Sequence, residues 1–227
     1  MCNIHPVPRY DVVLFDLDGT LTDSAPGILN CIRYALESMG IDSPPDEQMR
    51  PFLGPPLVDT FGEHFGLSDA DISIAIERYR ERYHDVGLFE NEVYGGVEEM
   101  LDTVRAGGSV LAVATSKPTY SATRILEHFG LASRFAFIGG ADLDGTRQRK
   151  NEVIAHTLAE LTDLGAYAPS SSIVMVGDRE HDADGARHHD LDCIGVLWGY
   201  GSAEELMRAG TIALADDPAE LTGLLTR

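Results

Sequence analysis

The chain has 227 residues, 44% of them hydrophobic and 24% charged, which allows one large domain or a domain carrying an insert, with a sizeable core. Acidic residues outnumber basic ones 37 to 17, for a net charge of −20; a surface so negative repels nucleic acid and anionic membranes, so neither is expected as a partner. No run approaches the length of a membrane span and Met1 to Tyr10 has no apolar signal-peptide core, so a cytoplasmic protein is expected.

In chain order, Val12-Val13-Leu14-Phe15 is a continuous apolar run ending in Asp16-Leu17-Asp18-Gly19. Such a run fits a strand buried on both faces of a parallel sheet. Similar runs at Val110 to Thr115, Phe135 to Ile138, Ile173 to Val176 and Ile194 to Leu197, with a weaker one at Ile212 to Ala215, predict further strands. Helical spacing lies between them: Val97, Met100, Leu101 and Val104; then Ile125, Leu126 and Phe129, with Gly130 as the stop; then Val153, Ile154, Thr157, Leu158 and Leu161. Ser202-Ala203-Glu204-Glu205 and Asp217-Pro218-Ala219-Glu220 read as capping boxes opening two late helices. This alternation predicts a doubly wound, mainly parallel α/β sheet of the Rossmann-like kind, over residues 1–23 and 93–227.

Residues 24–92 break the pattern. Ile28, Cys31, Ile32, Ala35, Leu36 and Met39 keep helical period, Gly40 closes that segment, Pro44-Pro45 and Gly54-Pro55-Pro56 punctuate the next, and Ile72 to Tyr83 reads as helix again. The stretch is too long for an ordinary connection. It is expected to be an all-helical cap, standing above the C-terminal edge of the sheet where α/β folds place their sites. Three cysteines, Cys2, Cys31 and Cys193, are odd in number and far apart, against a disulfide framework and suited to a reducing compartment.

Four groups sit at or just after the predicted strand ends. Asp16 and Asp18, two apart, can project to the same side, and two carboxylates in one pocket can divide the work of staying ionised and carrying a proton. An Asp-Gly turn is the plain alternative. Thr115-Ser116-Lys117 offers a hydroxyl and an ammonium to phosphate oxygens, although Ser116 before Pro118 also suits a helix cap. Lys150 precedes a helix; it and Lys117 are the two lysines of a chain with fifteen arginines. Asp178 and Asp182, four apart, share a face if a helix begins at once, and such hard oxygen ligands suit Mg²⁺; acidic capping is the alternative. His188-His189 does not make a zinc pair, and Trp198 and Tyr200 read as packing residues.

With all four groups in order, the sequence resembles a haloacid dehalogenase-superfamily hydrolase over essentially its whole length, nearest in flavour to the phosphoglycolate phosphatase-like group. Asp16-Leu17-Asp18-Gly19-Thr20 resembles the first motif, Ser116 the second, Lys150 the third, and Gly177-Asp178 with Asp182 the fourth. The resemblance implies a phosphatase acting on a small phosphorylated metabolite, with Asp16 as nucleophile and Asp18 as acid and base. It implies Mg²⁺ held by Asp16, the Asp18 carbonyl and Asp178, with Asp182 as ligand or support, and Ser116 and Lys150 on phosphoryl oxygens. Leu17, Thr20, Lys117 and Arg50 are the further substrate-binding candidates. Asp18 argues against a dehalogenase, and the absence of a cap lysine against a phosphonatase. A sugar phosphomutase and a phospho-acceptor signalling domain stand as alternatives.

Overall fold

A computed structural model describes residues 7–54, 57–142 and 146–227. The chain forms two compact units, one of Asp23–Glu92 and one of Val93–Arg227 together with the segment up to Thr22.

The larger unit begins with β1 (Val12–Phe15) and reaches a two-residue strand, β2 (Thr22–Asp23), which pairs with β3 (Glu92–Val93) where the chain returns. Between these lie α1 (Ala25–Ser38), α2 (Asp46–Met49), α3 (Leu57–Asp59), which runs on as a π-turn, and α4 (Asp69–Arg82). Gly40, at φ +73°, ends the turn after α1 in the left-handed conformation expected of a helix stop. Ser68 caps α4 by accepting the Asp71 N–H at 3.3 Å. Apart from Asp23 and Glu92 at its two ends, which belong to β2 and β3, the regular elements among this unit's described residues are helical. Arg82 of α4 forks onto both carboxylate oxygens of Glu90 at 2.6 and 2.8 Å and donates to the buried Cys31 thiol at 3.4 Å, tying α4 to α1. Cys193, in the other unit, is likewise a buried free thiol, and Cys2, Pro55 and Pro56 lie outside the described residues.

After β3 come α5 (Val97–Ala106), β4 (Val110–Pro118), α6 (Thr119–His128), β5 (Phe137–Ala141), α7 (Lys150–Asp163), β6 (Ile173–Gly177), α8 (Glu180–Arg187), β7 (Asp192–Val196), α9 (Ala203–Ala209), β8 (Ala213–Ala215) and α10 (Pro218–Leu225). The sheet is parallel, in the order β5-β4-β1-β6-β7-β8, the doubly wound architecture expected. Val12 and Leu14 pack with Val153, Ile154 and Leu161 of α7 and Ala183 and Ala186 of α8. Val13 and Phe15, equally buried, point to the opposite face, where Phe15 meets Phe135 edge-on at 6.4 Å. Covering both faces is the reason the strands read as unbroken apolar runs.

β5 departs from its expected place. Phe135 stays outside the strand, which instead runs through Gly139 and Gly140. A Cβ on Gly139 would stand 2.0 Å from the Thr157 hydroxyl of α7, so this strand packs too closely on its helix to carry the apolar side chains by which strands are recognised. β4 is also longer than its apolar run, because a register break after Ala114 lets Pro118 pair with Ala141.

What matters for the site is the reversal of strand order at β1 and β6. Phe15 pairs with Val176, and the Asp16 N–H donates to the Val176 carbonyl at 2.9 Å. The ends of β1 and β6 thus share the crevice where doubly wound sheets bind ligands.

Candidate active site

Asp16 is the first residue beyond β1, and its side chain enters that crevice. Lys150, the first residue of α7, reaches it from the other side of the chain: Nζ lies 2.8 Å from Asp16 Oδ1 and 2.7 Å from Asp182 Oδ1, and donates to the Ala114 carbonyl at 3.1 Å. Asp16, Asp178 and Asp182 each turn a carboxylate oxygen to within 4.8 Å of the others, and all three are buried.

The local reasons for this convergence differ from those the spacing suggested. Asp178 and Asp182 do not share a helix face, because α8 begins only at Glu180. Asp178 stays in the turn after β6, fully buried, while Asp182 occupies the third position of α8 and accepts the Arg179 N–H on Oδ2 at 3.1 Å. One Asp182 oxygen caps the helix and the other holds Lys150.

Asp178 is fixed by two neighbours that sequence reasoning assigned elsewhere. Thr20 donates its hydroxyl to Oδ1 at 3.3 Å, and the Tyr200 N–H donates to Oδ2 at 2.7 Å. Thr20, expected as a substrate contact, is 1% exposed, and its hydroxyl supports Asp178. Leu17, likewise expected as a substrate contact, buries its side chain in the core and keeps its backbone near the crevice, where its carbonyl accepts the N–H groups of Thr20, Leu21 and Thr22. Nor are Trp198 and Tyr200 only packing residues. The Trp198 indole donates to the Thr20 carbonyl at 3.0 Å, and a Cβ on the next glycines would strike Asp178: Gly199 its Cβ at 2.4 Å, Gly201 its carbonyl at 2.0 Å. The W-G-Y-G loop is a tight collar, and the closely spaced glycines were the signal that could have found it.

The collar is completed by Gly19, whose φ of +81° no ordinary side chain adopts readily and whose Cβ would lie 2.3 Å from Asp178 Oδ2. Gly19→Ala is expected to destabilise the protein by about 1–3 kcal/mol and to displace Asp178. Urea denaturation checks the first effect; an unchanged midpoint would show that the turn accommodates a methyl group.

Lys117 places Nζ 2.6 Å from Asp18 Oδ2 across ninety-nine residues of chain, and both are drawn into the same rim. The other Asp18 oxygen is buried and accepts no hydrogen bond among the described residues. Of the neighbouring hydroxyls, Ser116 is exposed, whereas Thr115 is buried and accepts the Lys117 N–H at 3.3 Å. Arg50 is exposed in the helical unit and is not among the residues that the sheet brings together.

The electrostatics are unbalanced. Burial, and then repulsion from Asp182 and Asp16, push Asp178 up to about 8, with the Tyr200 N–H and Arg179 opposing only in part. Burial also raises Asp182, against the pull of Lys150. For Lys150 burial alone would lower the value, but Asp16 and Asp182 outweigh it and hold the ammonium firmly charged. Three buried carboxylates facing one ammonium are repulsive as they stand. A set of hard oxygen donors with excess negative charge fits a small divalent cation, whose charge offsets that repulsion.

Comparison with known proteins finds relatives over most of the chain. A family model described as haloacid dehalogenase-like hydrolase matches residues 13–196. A 5'-nucleotidase of Pseudomonas aeruginosa is 43% identical over 198 residues, covering 87% of both chains. The tyrosine-protein kinase PtkA of Mycobacterium tuberculosis is 42% identical over 88% of this chain and 66% of its own length. Among solved structures, a predicted phosphatase from Clostridium acetobutylicum superposes with a TM-score of 0.84 at 40% identity, covering 95% of this chain and 97% of that one.

Proposed function

The chain belongs to the haloacid dehalogenase-like hydrolases, and from that premise we propose that it is a Mg²⁺-dependent cytoplasmic phosphatase that takes phosphate from a small monoester onto Asp16 and then hydrolyses the aspartyl-phosphate. One observation carries the reading: Asp16, Asp178 and Asp182 are buried together at a strand-end crevice, with Lys150 bonded to two of them.

Asp16, paired with Lys150 at 2.8 Å, attacks phosphorus in line. As the bond to the leaving oxygen breaks, Asp18 gives that oxygen a proton. Asp18 then takes a proton from water, whose oxygen bonds to phosphorus, releasing phosphate and restoring the Asp16 carboxylate. Lys117 keeps the Asp18 carboxyl group in reach of both proton transfers. Lys150 reduces the repulsion between Asp16 and the incoming phosphoryl group, and a hydroxyl at Thr115 or Ser116 meets a phosphoryl oxygen. Mg²⁺, held by Asp16 and Asp178 with the Asp18 carbonyl and with Asp182 alongside, would neutralise charge on the phosphoryl oxygens.

Nucleoside 5'-monophosphates head the candidate substrates, on the strength of the nucleotidase relative; phosphoglycolate and sugar phosphates follow. The test is a phosphate-release screen over these esters, with Mg²⁺ and with EDTA. Release from at least one ester, lost on chelation and restored by Mg²⁺, is expected. Release unaffected by EDTA would overturn the metal requirement, and no release from any ester the phosphatase reading. The kinase-named relative carries a second reading, transfer of phosphate to tyrosine; label passing from ATP to a tyrosine peptide would favour it.

A further inference from the structure

Glu205 should have completed a capping box on its own helix, α9, and it does not. Ser202 accepts the Glu205 N–H at 3.1 Å, as the pattern requires, but the Glu205 carboxylate turns away to α8. There its Oε1 accepts from Arg179 Nε at 2.8 Å and from the Glu180 N–H at 3.0 Å. A helix-capping glutamate has been diverted across 26 residues of sequence to the start of another helix.

What it holds there is the turn between Asp178 and Asp182. Arg179 is the N-cap of α8 and Glu180 its first residue, so the two groups bonded to Glu205 are the links joining the two carboxylates. The Arg179 N–H also donates to Asp182 Oδ2, and Gly201, four residues before Glu205, packs against both the Asp178 carbonyl and the Arg179 stem. A carboxylate on two donors of adjacent residues fixes both the direction of the chain and its distance from α9. If the turn relaxed, Asp178 and Asp182 would no longer face one point.

We propose that Glu205 is a positioning residue for the cation: by clamping Arg179 and the Glu180 N–H from α9, it presets the separation of Asp178 and Asp182. The proposal rests on the metal-site reading given under Proposed function. Supports one bond removed from ligating carboxylates govern affinity because they remove the cost of arranging the ligands at each binding event.

The experiment measures Mn²⁺ binding, as a spectroscopic stand-in for Mg²⁺, by electron paramagnetic resonance on the full chain and on Glu205→Ala, Glu205→Gln and Glu204→Ala. Glu205→Ala is expected to weaken Mn²⁺ binding by roughly 10–100-fold. Glu205→Gln keeps an oxygen acceptor for both donors and is expected to restore binding to within a few-fold of wild type. Glu204, an exposed neighbour paired with Arg208 on the same helix, should make no difference. Thermal melts without metal separate this from loss of folding: a purely structural Glu205 would lower the melting temperature and leave the Mn²⁺ dissociation constant of the folded fraction unchanged. That outcome, or a Glu205→Gln variant as weak as Glu205→Ala, overturns the proposal. No Mn²⁺ binding by wild type overturns the metal-site reading itself, and this inference with it.

Discussion

Asp16→Asn should abolish turnover, by at least about 10⁴-fold in kcat, while the protein still folds and still binds its phosphate ester. The amide is nearly isosteric with the carboxylate, but its neutral oxygen is a poor nucleophile toward phosphorus. Folding is expected to survive because Lys150 keeps its second partner, Asp182, at 2.7 Å, and because Asp178 loses one of the two charges that repel it. Two measurements check this together: steady-state phosphate release, and acid-quenched gels for a phosphorylated protein band, present in wild type and absent from the variant. A phosphorylated band in Asp16→Asn would move the nucleophile to another residue.

Lys150→Met has the larger expected effect on stability. It leaves Asp16, Asp178 and Asp182 in a buried crevice with no ammonium facing them, and removing one partner of a buried ion pair costs about 3–5 kcal/mol. The loss should be greatest without metal and should shrink as Mg²⁺ is added, since a ligand that binds only the folded state stabilises it by mass action. Urea denaturation with EDTA and with Mg²⁺ reads both quantities. A loss below about 1 kcal/mol in EDTA would mean that the ion pairs are not holding the crevice together. Arginine is not expected to substitute. The lysine stem passes Gly185 of α8 so closely that a Cβ there would stand 2.6 Å from Lys150 Cγ, and a planar guanidinium needs more room than an ammonium.

The strands were legible because burial on both faces writes itself as an unbroken apolar run, and the helix after β3 because one apolar stripe repeats at helical spacing. β5 was legible only in part, since close packing on α7 calls for glycine where a strand search looks for valine. The candidate site shows the same division. Asp16, Lys150, Asp178 and Asp182 stand at strand ends or helix starts, so chain order alone brought them to one rim. How they are held was not legible, because each support is a tertiary contact: Lys117 on Asp18, Thr20 and the Tyr200 N–H on Asp178, Glu205 on the start of α8. The Glu205 pattern marked the start of α9, where Ser202 caps the helix, but did not show that its carboxylate is drawn to Arg179 at the start of α8. Thr20 and Leu17 were read as ligand contacts from their place in a motif, and the burial of both side chains was not legible there.

The position of β1 in the sheet bears on the order in which the molecule comes together. β1, which precedes the other strands of its sheet in the chain, lies between β4 and β6, so Val12 must wait for Val110 on one side and Ile173 on the other. Contacts between such distant residues form slowly, because a long loop must close before any pairing rewards it. On the ribosome β1 emerges long before β6, an apolar strand without its second neighbour. Asp178 and Asp182 follow β6, so the acidic crevice closes only when most of the chain has been made. A chain ending before α8 would therefore carry Asp16 without the Asp178–Asp182 pair that faces it in the folded protein.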